Sequence, residues 1–131
     1  MEPRQVLTTR ICHLSLRVRN LKRSVAFYCE LFGAVVAGSP TVNGSAHLSI
    51  SPANPALPSF AIVLVEVLPP GIEVFGLDHF GLEVHGETEV RNLFQAAIAL
   101  GANATQPRMY NGHFQTFIFD PDGYKIEVLA T

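Results

Sequence analysis

Two histidines and two glutamates hold matched places in this sequence. His13 is the third residue of the run ICHLSLRV, and His79 stands third in LDHFGLEV. Glu66 and Glu127 terminate the runs VLVE and YKIE. Taken singly, a strand histidine is ordinarily a satisfied core residue and a strand glutamate a solvated one. Together, two imidazoles and two carboxylates at corresponding positions make a mixed nitrogen and oxygen donor set for a first-row divalent metal, with positions left for exchangeable water. An open coordination position is what metal-assisted catalysis requires. Glu66 adds weight because it follows six apolar residues, FAIVLV, where a carboxylate is unfavourable to bury unless it is paired or bound to a cation.

The elements able to position these side chains are legible along the chain. In ICHLSLRV, residues 11–18, Cys12, Leu14, Leu16 and Val18 alternate with His13, Ser15 and Arg17, the pattern of a strand with one apolar and one polar face. Asn20 can cap a helix through Phe32 that places Leu21, Val25, Tyr28, Cys29 and Phe32 on one stripe and stops at Gly33. The apolar runs AVVAG, AHLSI and FAIVLVEV, parted by Gly, Pro, Asn and Ser, predict three more strands. After Pro69-Pro70-Gly71 the order starts again. LDHFGLEV, residues 77–84, is a strand with His79, Gly81 and Glu83 on one side. A helix over about Glu87 to Leu100 carries Val90, Leu93, Phe94, Ala97 and Ile98 and stops at Gly101. Short strands follow around FQTFIF and YKIEVL, joined by the Asp120-Pro121-Asp122-Gly123 turn.

The expected fold is therefore α+β: two βαβββ modules, residues 10–68 and 76–130, in a single domain spanning 1–131. Each module is too small to bury a comfortable core alone, so the two should pack together and form a cleft. LFGAVV and ALGANA mark the same point of each copy.

Bulk properties exclude several classes. Of 131 residues, 48% are apolar and 15% charged, which suits a folded enzyme or binding domain rather than a disordered chain. A net charge of −2 with scattered Lys and Arg gives no footprint for nucleic acid. The longest apolar run is far short of a membrane span, and Met1 to Thr9 is too polar for a signal peptide. Two cysteines, Cys12 and Cys29, read as small buried hydrophobes in a protein of the reducing cytoplasm. His47 and His85 receive no role from the sequence.

The segments HLSLRVRNLKRSVAFYCELFG, DHFGLEV and FDPDGYKIEV resemble the vicinal oxygen chelate superfamily over residues 10 to 129. That group includes glyoxalase I, fosfomycin-resistance enzymes, extradiol dioxygenases, methylmalonyl-CoA epimerase and bleomycin-resistance proteins. The resemblance implies a cleft fold and one divalent metal (Ni, Zn, Co or Mn) held by His13, Glu66, His79 and Glu127. It also implies a homodimer acting on a small-molecule substrate. The four-ligand set is closest to glyoxalase I, whose chemistry is an enediolate-forming isomerisation of a hemithioacetal-like α-hydroxycarbonyl. Glu66 and Glu127 would then be the catalytic acid and base. Arg17 matches an arginine that contacts glutathione, the cosubstrate in that enzyme, whereas Pro69-Pro70-Gly71 stands where glyoxalase I has a polar segment. Tyr110 to His113 form a polar loop, with Asn111 and His113 as candidate substrate contacts. Two other activities share the fold: metal-free ligand sequestration of the bleomycin-resistance type, and thiol transfer of the fosfomycin-resistance type. The latter would use His13, His79 and Glu127 and leave Glu66 dispensable.

Overall fold

A computed structural model describes residues 13–37, 44–50, 59–67 and 77–130. Cys12, Pro69-Pro70-Gly71 and most of the proline-rich loop after Ile50 lie outside them. Two βαβββ modules follow one another. The first holds β1 (His13–Val18), α1 (Leu21–Phe32), β2 (Val35–Ala37), β3 (Ser45–Ile50) and β4 (Phe60–Glu66). The second holds β5 (Phe80–Val84), α2 (Gly86–Ala99), β6 (Arg108–Tyr110), β7 (His113–Phe119) and β8 (Lys125–Ala130). The strand orders, β1-β4-β3-β2 and β5-β8-β7-β6, are the same in the two sheets. In each, the first strand runs parallel to the last and the other pairings are antiparallel.

Helix α1 starts and stops where its sequence says it should. The Asn20 side chain accepts the Arg23 backbone N–H at 2.9 Å, satisfying one of the donors that a helix start leaves open. Gly33, at φ 67°, takes the left-handed conformation that returns its N–H to Cys29. The buried stripe differs from the expected one. Leu21, Ser24, Phe27, Tyr28 and Leu31 are buried, while Val25, Cys29 and Phe32 are only partly covered. The rotation follows from Tyr28 and Ser24, whose hydroxyls are drawn to carboxylates of the second module. Helix α2 likewise buries Val90, Phe94 and Ala97 and leaves Ile98 47% exposed.

The helix-side faces of both sheets enter one core. Leu16, Val18, Ile62 and Leu64 of the first module join Ile118, Ile126 and Val128 of the second, all essentially inaccessible to water. Each such side chain contributes roughly 1.5–3 kcal/mol of hydrophobic stabilisation. Since both sheets turn their helix-side faces inward, the opposite faces, carrying His13 and Glu127, look outward. Among the described residues no helix is long and apolar enough to cross a membrane.

Candidate metal and substrate site

β5 and β8 bring His79 and Glu127 together. In the parallel register Gly81 pairs with Glu127, so His79, just ahead of β5, reaches the same face. Its Nε2 lies 3.5 Å from Glu127 Oε1. On the other side of the ring, Nδ1 lies 2.6 Å from an Asp78 carboxylate oxygen. In the tautomer with its proton on Nδ1 the ring donates to Asp78 and turns the Nε2 lone pair toward the glutamate. An imidazole nitrogen and a carboxylate oxygen this close make a mixed donor pair of the kind that holds a divalent cation. A carboxylate behind a histidine is also the usual support of a metal-bound imidazole, fixing its tautomer and orientation. The hydrogen bond to His79, with Lys125 nearby, holds the Asp78 carboxyl below the ordinary carboxylate range. His79 and Glu127 therefore fit a divalent metal by donor chemistry and by surroundings.

Around the pair the sheet supplies a floor. Phe117, directly opposite Glu127 on β7, meets the His79 ring edge-on at 5.7 Å and lies beneath the Lys125 ammonium at 4.2 Å. Gly81 leaves open the space beside Glu127; a Cβ there would sit 3.3 Å from the Leu129 side chain. Farther along the same face are Gln115, Arg108 and His113.

The first module is not arranged in the same way. His13 heads β1 and is exposed on the outward face with Ser15 and Arg17. Glu66 does not join it. It pairs with Val18 at the far end of β1, and its position in the β4 alternation puts it with Ile62 and Leu64 on the helix-side face. There its Oε1 accepts the backbone N–H of Leu21 at 3.2 Å, an acidic group at the start of α1. It is exposed rather than embedded, because β4 ends there. Both glutamates close apolar runs in the sequence, but strand register decides which residues correspond. Glu127 pairs with the residue two after His79; the residue two after His13 is Ser15, and Ser15 pairs with Val63. Valine occupies the second carboxylate position. His47 pairs with Val63 from β3 and so shares the His13 face. Among the described residues no three His, Cys, Asp or Glu side chains gather at one point of a single chain.

The expected polar loop is a tight turn. Asn111 and Gly112, at φ 49° and 81°, link β6 to β7 in the doubly left-handed form that favours Asn-Gly. Tyr110 and His113 are the paired strand residues on either side, both exposed.

A second polar centre, which sequence reasoning reduced to a turn, joins the modules. Tyr28 Oη donates to Asp120 Oδ2 at 2.7 Å, and Asp120 Oδ1 accepts the backbone N–H groups of Asp122 and Tyr124, each at 2.9 Å. The Asp122 side chain is fully buried. It accepts from Arg19 N at 3.0 Å and Ser24 Oγ at 3.2 Å, and it pairs with the Arg19 and Arg23 guanidiniums at 3.3 and 3.5 Å. Tyr124 Oη donates to the Arg17 carbonyl at 2.8 Å, tying the end of one sheet to β1 of the other. Burial raises the Asp120 carboxyl above its ordinary value, and burial, with Asp120 beside it, keeps Tyr28 a neutral phenol. The available signal was that Asp120-Pro121-Asp122-Gly123 carries two aspartates where a turn needs one.

Residues 10–128 match the family model of the Glyoxalase/Bleomycin resistance protein/Dioxygenase superfamily, and the chain belongs to that superfamily. No curated protein matches it. Among solved structures, the glyoxylase/bleomycin resistance protein/dioxygenase domain from Frankia sp. EAN1pec superposes with a TM-score of 0.77 at 22% identity, covering 95% of this chain and 98% of that one. A possible glyoxalase from Bacillus cereus gives 0.74 at 20%, covering 94% and 100%. A mutant of the fosfomycin resistance protein FosX from Listeria monocytogenes, complexed with Mn(II) and 1S,2S-dihydroxypropylphosphonic acid, gives 0.73 at 18%, covering 95% and 91%. At these identities the likeness is one of fold.

Proposed function

We propose that the chain is a metal-dependent enzyme whose divalent ion is held by His79 and Glu127 of one copy and His13 of a second copy in a homodimer. Its reaction activates a small oxygen-bearing substrate toward addition of water or a thiol. The observation that carries this reading is the His79–Glu127 pair with Asp78 behind the imidazole. The outward-looking faces support the dimer, since the His13 face and the Glu127 face of one chain are turned from each other across a shared core. Val63 at the second carboxylate position supports three protein ligands rather than four. An ion of Ni, Zn, Co or Mn supplies Lewis acidity that polarises the substrate oxygens. The chain's own part is to hold those oxygens over Phe117, to keep His79 in one tautomer through Asp78, and to offer Arg17, on the His13 face, to an anionic part of the substrate. A free thiol at half-buried Cys29 suits a reducing cytoplasm.

A second reading, a glyoxalase-type isomerisation of an α-hydroxycarbonyl, draws on the Glu127 carboxylate, which is poised to act as base beside His79. It leaves Glu66 out of proton transfer. The deciding experiment measures metal content of the purified protein. It then compares turnover of an epoxide with water or thiol against turnover of methylglyoxal with and without glutathione. Metal-free protein that still binds ligand would place the chain with the sequestering relatives and end the enzymatic reading. Glu127→Gln protein with undiminished metal and turnover would end the assignment of that ligand.

A further inference from the structure

Gln115 is the one side chain, among the described residues, whose buried polar atoms have no partner: neither Oε1 nor Nε2 is hydrogen-bonded, and the residue is fully inaccessible. A buried amide left in that condition is destabilising, so a natural protein that keeps one is expected to satisfy it by some other means. The register says where this amide is. Gln115 pairs with Leu129, and Phe117, two residues on, pairs with Glu127. Alternation therefore sets Gln115 on the same face as Glu127, as its diagonal neighbour, about 7–8 Å away between backbones. On its other side it pairs with Arg108.

Resting on the metal reading above, we propose that Gln115 recognises the substrate. Its amide, covered in the free protein, takes a hydroxyl or primary carboxamide carried a few bonds away from the oxygens that Glu127 and His79 help to hold, once binding displaces the side chains that cover it. The chemistry of the side chain selects that class. An amide presents a donor and an acceptor side by side, and a hydroxyl or carboxamide meets both, whereas a carboxylate meets only the donor and a methyl group neither. The spacing from Glu127 suits a chain of about four carbons, with the metal-binding oxygens at one end and the second polar group near the other.

The test uses full-length protein with and without Mn(II) and two probes read by calorimetry. Lactate carries only the vicinal oxygens; 2,3,4-trihydroxybutyrate adds the distal hydroxyls. Wild type is expected to bind the longer probe about tenfold more tightly. Gln115→Leu, of similar volume, is expected to lose that preference while keeping its affinity for lactate and Mn(II). It should melt no lower than wild type, because it removes an unpaired polar group. Equal affinity of wild type for the two probes, a preference retained by Gln115→Leu, or a lower melting temperature in that variant would overturn the assignment. Wild type that takes up no Mn(II) would instead sink the metal reading, and the probe preference in the metal-free arm would still decide the role of Gln115.

Discussion

The hydroxyl of Tyr28, on the first helix, donates to the Asp120 carboxylate of the second module at 2.7 Å, inside the core that the two modules share. This bond and its neighbours link the two modules and so fix how the two sheets are disposed. Tyr28→Phe should therefore destabilise the fold by about 1–3 kcal/mol, since it leaves a buried acceptor without its donor. Urea unfolding measures this; an unchanged midpoint would mean that the junction is held by apolar packing alone.

Burial of Asp120 also gives the protein a pH dependence of definite sign. Its folded carboxyl holds its proton to higher pH than the unfolded one. The native state thus binds more protons through that window, and the contribution is complete below the unfolded value and lost as pH rises through the folded one. Asp120→Asn removes the titration and keeps an acceptor for the two backbone N–H groups. The variant should gain on wild type as pH rises from the carboxylate range toward neutrality. Paired thermal melts across pH read the difference, and parallel curves would show that this carboxyl does not report on folding.

Metal affinity should depend on Asp78 although it touches no metal. Asp78→Asn weakens the orientation of His79 and is expected to lower affinity by about 10–100-fold. Glu127→Gln, which removes a proposed ligand, should lower it at least as much. Calorimetric titration with Mn(II) distinguishes these from a control at Glu83, on the same face and outside the pair.

Glu66 and Val63 make a reciprocal test. Glu66→Ala should leave metal stoichiometry intact and cost about 0.5–2 kcal/mol, as loss of a carboxylate at a helix start does. Val63→Glu should raise metal affinity by supplying the carboxylate that register equates with Glu127. The opposite pattern, metal lost in the first and unaffected in the second, would restore Glu66 to the ligand set.

The contrast between those two residues shows what the sequence could and could not reveal. The order of elements, the Asn20 cap, the Gly33 stop and the two-faced strand at His13 rest on local chemistry and were readable directly. The pairing of His79 with Glu127 was readable because Glu127 lies in a well-alternating strand and His79 directly precedes another. Glu66 lies three residues beyond Val63, the position that register equates with Glu127; an odd offset puts a side chain on the other face, and register is set by partners distant in sequence. Asp120 and Asp122 read in the sequence as turn residues, and only the packing of the second module against the first encloses them. Gln115 reads as a polar position of an outward face, and no local signal shows that it is covered.

The helices between the two sheets leave the His13 face and the Glu127 face on opposite sides of each chain. In the homodimer proposed above, lesions on the two faces are then not interchangeable. A dimer of His13→Ala chains, or of His79→Ala chains, has both centres damaged once. Mixing the two variants should yield heterodimers in which one centre carries both lesions and the other none, so activity ought to reappear from two inactive parents. Recovery under subunit exchange would be the functional signature of a core that faces inward while its chemistry faces out.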